Sequence, residues 1–479
     1  MSLTVEISLR IFLKSLKMKI DINGNSYEVN EIRTDSRKVQ KGDLFIAYKG
    51  VKVDGHDYIN QAVENGASVI VYDEGYPFVK GATLIKVDSS REEWAILSAQ
   101  KYNNPQDKLK FIGITGTDGK TTTSNFVYEI LKSDGKKVGI VSTVSAKYGD
   151  TDVSTGLHTT SPDPDVLFKL LSDMADAGVE YVVLEVTSHA LVQKRFFGIR
   201  FDVCGVTNVT PEHLDAHGSY EQLIKDKSLL FDVSENIVLN KVGTGIPEIS
   251  KYAKKEIVYS NPDDKFISSL TDSFSEIFPG EYNLQNASLA IEISKKLGVD
   301  NDIAIKAVSN ATPPKGRFQR IKNSAGINAI VDFAHTENAM RKVLSAVLKM
   351  KKPNEKLITV FGCAGERDFY KRPNMGKTAS EFSDTVILTA EDPRSEDVNE
   401  IIKQIVSGNP DYNFIVEPDR HSAIFKGIGM AQKGDWVLIL GKGHEESINI
   451  GGTEYPWSDI KEAESFFLSM RNDDDKLLS

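Results

Sequence analysis

The feature that most constrains this chain is a repeated alternation of short, unbroken aliphatic runs with stretches of helical spacing. Between residues 110 and 240 the runs are "KFIGIT", "KVGIVST" (137–143), "YVVLEVT" (181–187), "FDVCGVTNV" (201–209) and "NIVLN" (236–240). Helical patterns such as "DVLFKLLSDMADAG" and "YEQLIKDKSLLF" lie between several of them. A strand that is apolar on both faces must be covered on both, and intervening helices supply the covers. The pattern therefore predicts an α/β fold built on a parallel sheet.

The same alternation appears twice more. "DLFIAY" (43–48) and "ASVIVYD" (67–73) flank a helical "YINQAVENG", and after Pro313-Pro314 come "NAIVDFA", "KLITVFG", "DTVILTA", "FIVEP" and "DWVLILG". A chain of 479 residues is long enough for about three domains. The polar, proline-bearing stretches "YNNPQDK" (102–108) and "ATPPKGR" (311–317) mark the breaks. The expected division is a smaller N-terminal α/β domain over 1–104, a central domain over 105–314 and a Rossmann-like C-terminal domain over 315–479.

Charge narrows the classes of function. Asp and Glu outnumber Lys and Arg by 68 to 58, with no long basic block, so nucleic acid is not an expected partner. Cys204 and Cys363, the two cysteines, sit beside strand-like runs and read as buried free thiols. No apolar run approaches the roughly 20 residues that span a bilayer. In "MSLTVEISLRIFLKSLKMKI" the apolar residues are interrupted by Glu6, Arg10, Lys14, Lys17 and Lys19, which predicts an amphipathic first helix rather than a signal peptide. A cytoplasmic protein with no membrane insertion is expected.

The chemistry concentrates in a few loops. "KFIGITGTDGKTTT" runs from a strand through a glycine turn into a helix. Gly116 and Gly119 would let backbone N–H groups approach a polyphosphate, Lys120 would reach the outer phosphates, and the Thr121 hydroxyl would hold magnesium. The usual phosphate-loop signature needs glycine where Ile114 stands. From these residues alone, a nucleotide loop and an ordinary strand–turn–helix both remain open. Glu185 ends a very apolar strand, where a carboxylate needs a partner, either a bound Mg²⁺ or a salt bridge or helix cap. His213, Asp215 and His217 follow another strand end and make either a site or a structural cluster. Lys225 and Lys227 read simply as solvated helix lysines. In the third block "HTEN", "CAGERD", "EDPRSED" and "GKGHE" fall at strand carboxyl ends, where open α/β sheets bind ligands.

Together these stretches resemble the Mur ligase family of ATP-dependent amide-forming enzymes. That family's phosphate loop reads T-G-T-N-G-K-T, and "TGTDGKT" differs only by Asp118 for Asn, so glycine at position 114 is not required. The resemblance runs in order from "TDSRKVQKGDLFIAYKGVKVDGHDYI" through "EVTSHALVQKR", "TNVTPEHLDAHG", "YNLQNA", "KGRFQ" and "VDFAHTENAM" to "AGERDFYKRPNMG" and "LGKGHE". Within the family the chain is most similar to the branch that adds the third residue, a diamino acid, to UDP-N-acetylmuramoyl-L-alanyl-D-glutamate in peptidoglycan precursor synthesis.

The resemblance implies a P-loop ATPase-like central domain, ATP and Mg²⁺ as cofactors, and ligation through an acyl phosphate; a monomer is expected. By motif, Thr115, Gly116, Thr117, Asp118, Gly119, Lys120, Thr121, Asn286 and Arg317 would contact ATP. Lys120, Glu185, His213 and Lys227 would carry catalysis, with Thr121, Glu185, His213 and a carbamylated Lys227 holding magnesium. The UDP-linked dipeptide would meet Thr34, Ser36, Val51, Lys52, Val53, Thr159, Thr160, Thr187, Gln193 and Arg195; His158 stands where the family often has Asn. Arg367, Glu391, Asp392, Pro393, Arg394, Gly441 and Glu445 would receive the amino acid. The fork of Arg394 suits a distal carboxylate and so meso-diaminopimelate over L-lysine, while Asp392 in place of the family Asn could favour an ammonium. Lys241 and Val242 replace a family acidic pair, and a trimmed sheet is expected there. The competing readings are another ligase of the superfamily, such as a folylpolyglutamate synthetase, and a non-catalytic nucleotide-binding scaffold.

Overall fold

In the computed structural model the described residues are 17–50, 53–75, 77–155, 160–263, 267, 270, 272–366 and 368–477. They form two compact units. One comprises the described residues up to Lys110 together with Ser161–Tyr181 and His189–Arg200; the other comprises Phe111–Thr160, Val182–Ser188 and the chain from Phe201 onward.

The first unit holds a four-stranded parallel sheet in the order Ile32–Arg33, Leu44–Ile46, Val69–Tyr72, Thr83–Lys86. Alternate side chains serve opposite faces. Leu44, Ile46, Val69 and Val71 pack with Trp94 and Leu97, whereas Phe45, Ile70 and Tyr72 pack with Ile59 and Ala62. A hairpin of Met18–Ile22 and Asn25–Val29 adds Ile20, Ile22 and Val29 to the first face. The expected N-terminal helix is thus corrected at its end, where Met18–Ile20 is strand: "KIDINGNSYEV" alternates about an Asn-Gly turn, with both residues at positive φ. The rest of that expectation lies outside the described residues.

Among the described residues the second unit contains two large sheets and a two-stranded hairpin, Ser447–Ile450 with Thr453–Pro456. The central one has the order Thr151–Val153, Ala146–Tyr148, Val138–Val141, Tyr181–Glu185, Lys110–Thr115, Phe201–Val206, Ser234–Asn240, Ile257–Ser260. Lys110–Thr115, Phe201–Val206, Ser234–Asn240 and Ile257–Ser260 pair in parallel, and the hairpin edge is antiparallel. Past Ser234–Asn240, beside Lys241 and Val242, the sheet continues by one strand.

The other sheet runs Gln319–Arg320, Asn328–Asp332, Trp436–Leu440, Leu357–Phe361, Thr385–Leu388, Ile415–Val416, all parallel after the first. Helices Glu337–Met350, Lys371–Phe382 and Val398–Val406 cover one face; Arg420–Met430 and Asp459–Leu477 cover the other. Burying strand side chains on both faces is what made these segments legible as unbroken apolar runs. Cys204 and Cys363 are buried free thiols, each pushed up to about 12 by burial. No helix among the described residues is long and apolar enough to cross a membrane.

Candidate active site

The strand Lys110–Thr115 delivers the glycine loop to the start of helix Lys120–Ser133. Both glycines are needed where they stand. Gly116 has φ +140°, and a Cβ there would sit 2.0 Å from Thr207 Oγ1 and 2.9 Å from the Asn208 carbonyl. Gly119 has φ +84°, and its Cβ would meet Asn286 Oδ1 at 2.5 Å. Thr207 and Asn208 hold the loop: Thr207 Oγ1 donates to the Asp118 carbonyl (2.6 Å), Asn208 Nδ2 donates to it as well (3.1 Å), and Asn208 Oδ1 accepts from the Asp118 N–H (3.1 Å). Lys120 Nζ lies across the loop, donating to the carbonyls of Gly116 and Thr117 at 2.9 Å each.

Around the loop helix a polar chain is buried. Thr121 Oγ1 donates to Glu185 Oε2 (3.1 Å) and accepts from Arg317 Nη2 (3.1 Å). Glu185, 1% exposed, also accepts from the Thr143 N–H (3.1 Å) and hydroxyl (2.8 Å). The Thr143 hydroxyl is also 3.2 Å from that of Thr160, and its carbonyl is 3.0 Å from His444 Nε2. Arg317 stacks on Phe333, its Cζ 4.5 Å from the ring centre. Residues Thr121, Glu185, Asn286 and Arg317, scattered through the sequence, therefore meet at one helix start.

Lys227 is not the solvated helix lysine that its local pattern suggested. It is 1% exposed, and its Nζ donates to the Gly116 carbonyl (3.2 Å) and to Glu212 Oε1 (3.1 Å). Helix Tyr220–Asp232 turns Leu223, Lys227, Leu230 and Phe231 inward together. Burial pushes the Lys227 amine below its ordinary range, against the opposing pull of Glu212. Burial acts to raise Glu212, yet Lys227, Lys120 and His213 together bring it down to about 2. His213 caps helix Leu214–His217 with φ +49°, and His217 is bound on its two nitrogens by Ser188 (3.0 Å) and Asp226 (2.6 Å). The side chain of Asp215 lies outside the described residues.

Asp118 has a clear destination. Its Oδ2 accepts from Asn338 Nδ2, with Lys342 Nζ 3.8 Å away, at the first turn of helix Glu337–Met350. A helix N-terminus and a lysine both favour an anion, so this carboxylate is taken up by the C-terminal segment.

A second group of loops gathers at the carboxyl ends of strands Thr385–Leu388 and Trp436–Leu440. Arg420, 2% exposed, clamps them from below: Nη1 donates to the Ala390 carbonyl (2.9 Å), Nη2 to the Leu440 carbonyl (3.0 Å), and Asp459 pairs with it at 2.6 Å. Glu391 and Asp392 are buried, and with Glu445 they bring carboxylate oxygens within 4.8 Å of one another. Lys442, fully buried, joins Asp392 (2.8 Å) to Glu445 (2.7 Å). Asp392, the acid that stands for the family Asn, thus has a buried lysine as its partner. Gly441, at φ +112°, lets the chain pass Glu391. Arg394 also has positive φ, +54°, its backbone bonded to Asn449 and Gly451, and its guanidinium has no ion-pair partner among the described residues. Arg372 secures the preceding loop through the Ala364 carbonyl (2.8 Å) and Glu396 (2.8 Å).

In the first unit, Thr34 and Ala47 follow adjacent parallel strands. Ser36 donates to Gln61 (2.6 Å), and Val53 is exposed. Arg195 binds Gln193 (2.8 and 3.0 Å) and the Ser161 carbonyl (2.5 Å). Thr187 is half-buried in the other unit. Val51, Lys52, Thr159 and Arg367 lie outside the described residues.

Thr121 and Glu185 present hard oxygen donors 3.1 Å apart, a donor set that suits Mg²⁺. Sequence reasoning missed Glu212, Thr143, Thr207, Asn208, Asn338 and Lys442, which act through contacts distant in the chain.

A glycine loop at a helix start, a buried carboxylate beside its threonine and Arg317 donating to that threonine are the kind of parts that hold phosphates and Mg²⁺ in an α/β protein. Three family profiles match: "Mur ligase family, catalytic domain" over 28–102, "Mur ligase middle domain" over 114–294, and "Mur ligase, glutamate ligase domain" over 316–443. The chain belongs to the Mur ligase family. It is 36% identical over 462 residues to a UDP-N-acetylmuramoyl-L-alanyl-D-glutamate–2,6-diaminopimelate ligase of Clostridium perfringens, covering 91% of this chain and 94% of that protein. The protein of the same name from Caldanaerobacter subterraneus is 37% identical over 469 residues, covering 93% and 96%. A solved structure of a ligase of that name has a TM-score of 0.60 at 26% identity, covering 94% of this chain and 98% of its own. MurF from Thermotoga maritima, solved with ADP, shares the fold with a TM-score of 0.56 at 19% identity, covering 92% and 98%.

Proposed function

We propose that this chain joins meso-diaminopimelate to UDP-N-acetylmuramoyl-L-alanyl-D-glutamate with cleavage of ATP to ADP and phosphate, as a cytoplasmic monomer in peptidoglycan precursor synthesis. The family profiles fall within domains of 1–104, 105–314 and 315–479, which supports that division. The observation that carries the choice of amino acid is Arg394, two residues after Asp392, whose guanidinium has no ion-pair partner among the described residues while Asp392 and Glu445 are paired with Lys442. A planar fork matches a distal carboxylate, which diaminopimelate has and L-lysine lacks.

The chemistry begins with transfer of the ATP γ-phosphoryl group to the terminal carboxylate of the dipeptide. The amine of the incoming residue then attacks the acyl phosphate, and inorganic phosphate leaves behind a new amide. Lys120 and the loop N–H groups would hold the outer phosphates, Asn286 and Arg317 the rest of the nucleotide. Thr121, Glu185, His213 and a carbamylated Lys227 would hold Mg²⁺, which when bound supplies neutralisation of phosphate charge. The lowered pKa of Lys227 favours the neutral amine that carbamylation needs. The product carbamate beside Glu212 would make a second oxygen pair of the kind that binds a hard cation. Uptake of Asp118 by Asn338 and Lys342 keeps a carboxylate from opposing the triphosphate. Thr34, Ser36, Val51 to Val53, Thr159, Thr160, Thr187, Gln193 and Arg195 would contact the UDP-linked dipeptide. Arg367, Glu391 to Arg394, Gly441 and Glu445 would contact the amino acid.

The test is ligation of meso-diaminopimelate and L-lysine side by side, read as phosphate release and product mass. Arg394→Ala should lose roughly 10- to 100-fold in kcat/KM with diaminopimelate and far less with lysine. Equal loss with both sinks the choice of amino acid. No ATP-dependent ligation with either points to a non-catalytic scaffold.

A further inference from the structure

Lys442 has been given no part in the reaction, yet it is among the most completely buried charged side chains of the chain, at 0% exposure. It stands in the loop after strand Trp436–Leu440, between Gly441 and Glu445. Its Nζ meets Asp392 Oδ1 at 2.8 Å and Glu445 Oε2 at 2.7 Å. Asp392 Oδ1 also accepts the Asn449 N–H at 2.9 Å, so this carboxylate is oriented by two donors from different segments. Glu391 completes a set of three carboxylates with oxygens within 4.8 Å. Burial, with Asp392 and Glu445 nearby, raises the Glu391 pKa, and Lys442 opposes that rise.

Three carboxylates this close, mostly dry, form a receptor for cations unless a positive charge is built in. Lys442 is that charge, and it is placed on the one acidic residue that departs from the family's asparagine. We infer that Lys442 is a positioning residue that sets the choice of amino acid: it neutralises Asp392 and fixes Glu445, leaving the Arg394 fork to select a distal carboxylate over a side-chain ammonium. This rests on the amino-acid site proposed above.

A cation-free cluster would instead attract the ε-ammonium of lysine. Removing Lys442 therefore unmasks the acidic pair, and removing the Asp392 charge in that background masks it again. The coupling between the two positions separates this role from mere support of the fold.

The experiment measures kcat and KM for meso-diaminopimelate and L-lysine at saturating ATP and UDP-linked dipeptide. Lys442→Met should raise KM for diaminopimelate more than it lowers kcat, and the diaminopimelate-to-lysine ratio of kcat/KM should fall by about tenfold or more. Adding Asp392→Asn should recover most of that ratio. Asp392→Asn alone, which remains informative if Lys442→Met fails to fold, should raise the ratio by about threefold by removing one carboxylate from the cluster. A fall in the ratio for that single variant overturns the inference, as does an unchanged ratio in Lys442→Met or a failure of the double variant to recover it. An unmodified chain that ligates neither amino acid refutes the amino-acid site itself, and this inference with it. An unmodified chain that ligates diaminopimelate, with variants whose ratios do not move, refutes the inference alone.

Discussion

Replacing Gly116 by alanine probes the phosphate loop through two effects. The residue sits at φ +140°, where an L side chain is strained by about 1–3 kcal/mol. The added Cβ would also stand 2.0 Å from Thr207 Oγ1, which donates to the Asp118 carbonyl at 2.6 Å. Moving that hydroxyl loses a buried hydrogen bond, about 1 kcal/mol. The sum is roughly 2–4 kcal/mol, shared between lower stability and a displaced loop. A shift of about 1 Å in a group that positions phosphates costs on the order of 100-fold in rate. Phosphate release at varied ATP should therefore show kcat/KM for ATP reduced about 100-fold, and thermal unfolding should move down by several degrees. Thr207→Ala removes the atom nearest the new methyl. It should cost about 1 kcal/mol alone and less than that in the Gly116→Ala background. Rescue will be partial, because the Asn208 carbonyl would still be 2.9 Å from the Cβ. Gly116→Ala with unaltered ATP kinetics and melting, or strict additivity with Thr207→Ala, refutes the reasoning.

Two further outcomes follow from the contacts within the second unit. Burial, followed by the nearby Arg317, depresses His444 from 6.5 to about 4, so the unfolded chain binds the proton first. Stability should fall as pH drops from 6.5 towards 4, by up to on the order of 3 kcal/mol; urea unfolding of His444→Gln should lack this slope, and an identical slope removes His444 as its source. Asn338→Asp would set a carboxylate against Asp118, costing about 1–2 kcal/mol after partial compensation by Lys342. The cost should appear as weaker ATP use, and Asp118→Asn in the same chain should restore it; unchanged kinetics in Asn338→Asp would refute the coupling of loop to helix.

The inner strands of the two large sheets were legible because they are buried on both faces. "WVLIL" is apolar throughout and "LITVF" apart from Thr359, and Leu357–Phe361 and Trp436–Leu440 are buried at every position. The glycine loop was legible as a pattern and ambiguous as chemistry, since Ile114 breaks the common signature and is simply a buried strand residue. Lys227 was misread from local spacing because "KDKSLLF" offers two lysines on one helix. Only packing against Gly116 and Glu212 chooses the second of them.

By itself the sequence determined the α/β alternation and, by its ordered motifs, the family. Those properties are local or periodic, and they survive being read along one dimension. Tertiary structure alone decided what each of these charges meets. Asp118 meets Asn338, Glu212 meets Lys227, and Asp392 meets Lys442, pairs separated by 220, 15 and 50 residues. The strength and sign of a buried charge depend on what else is desolvated beside it, and that neighbour is supplied by the fold rather than by the adjacent chain.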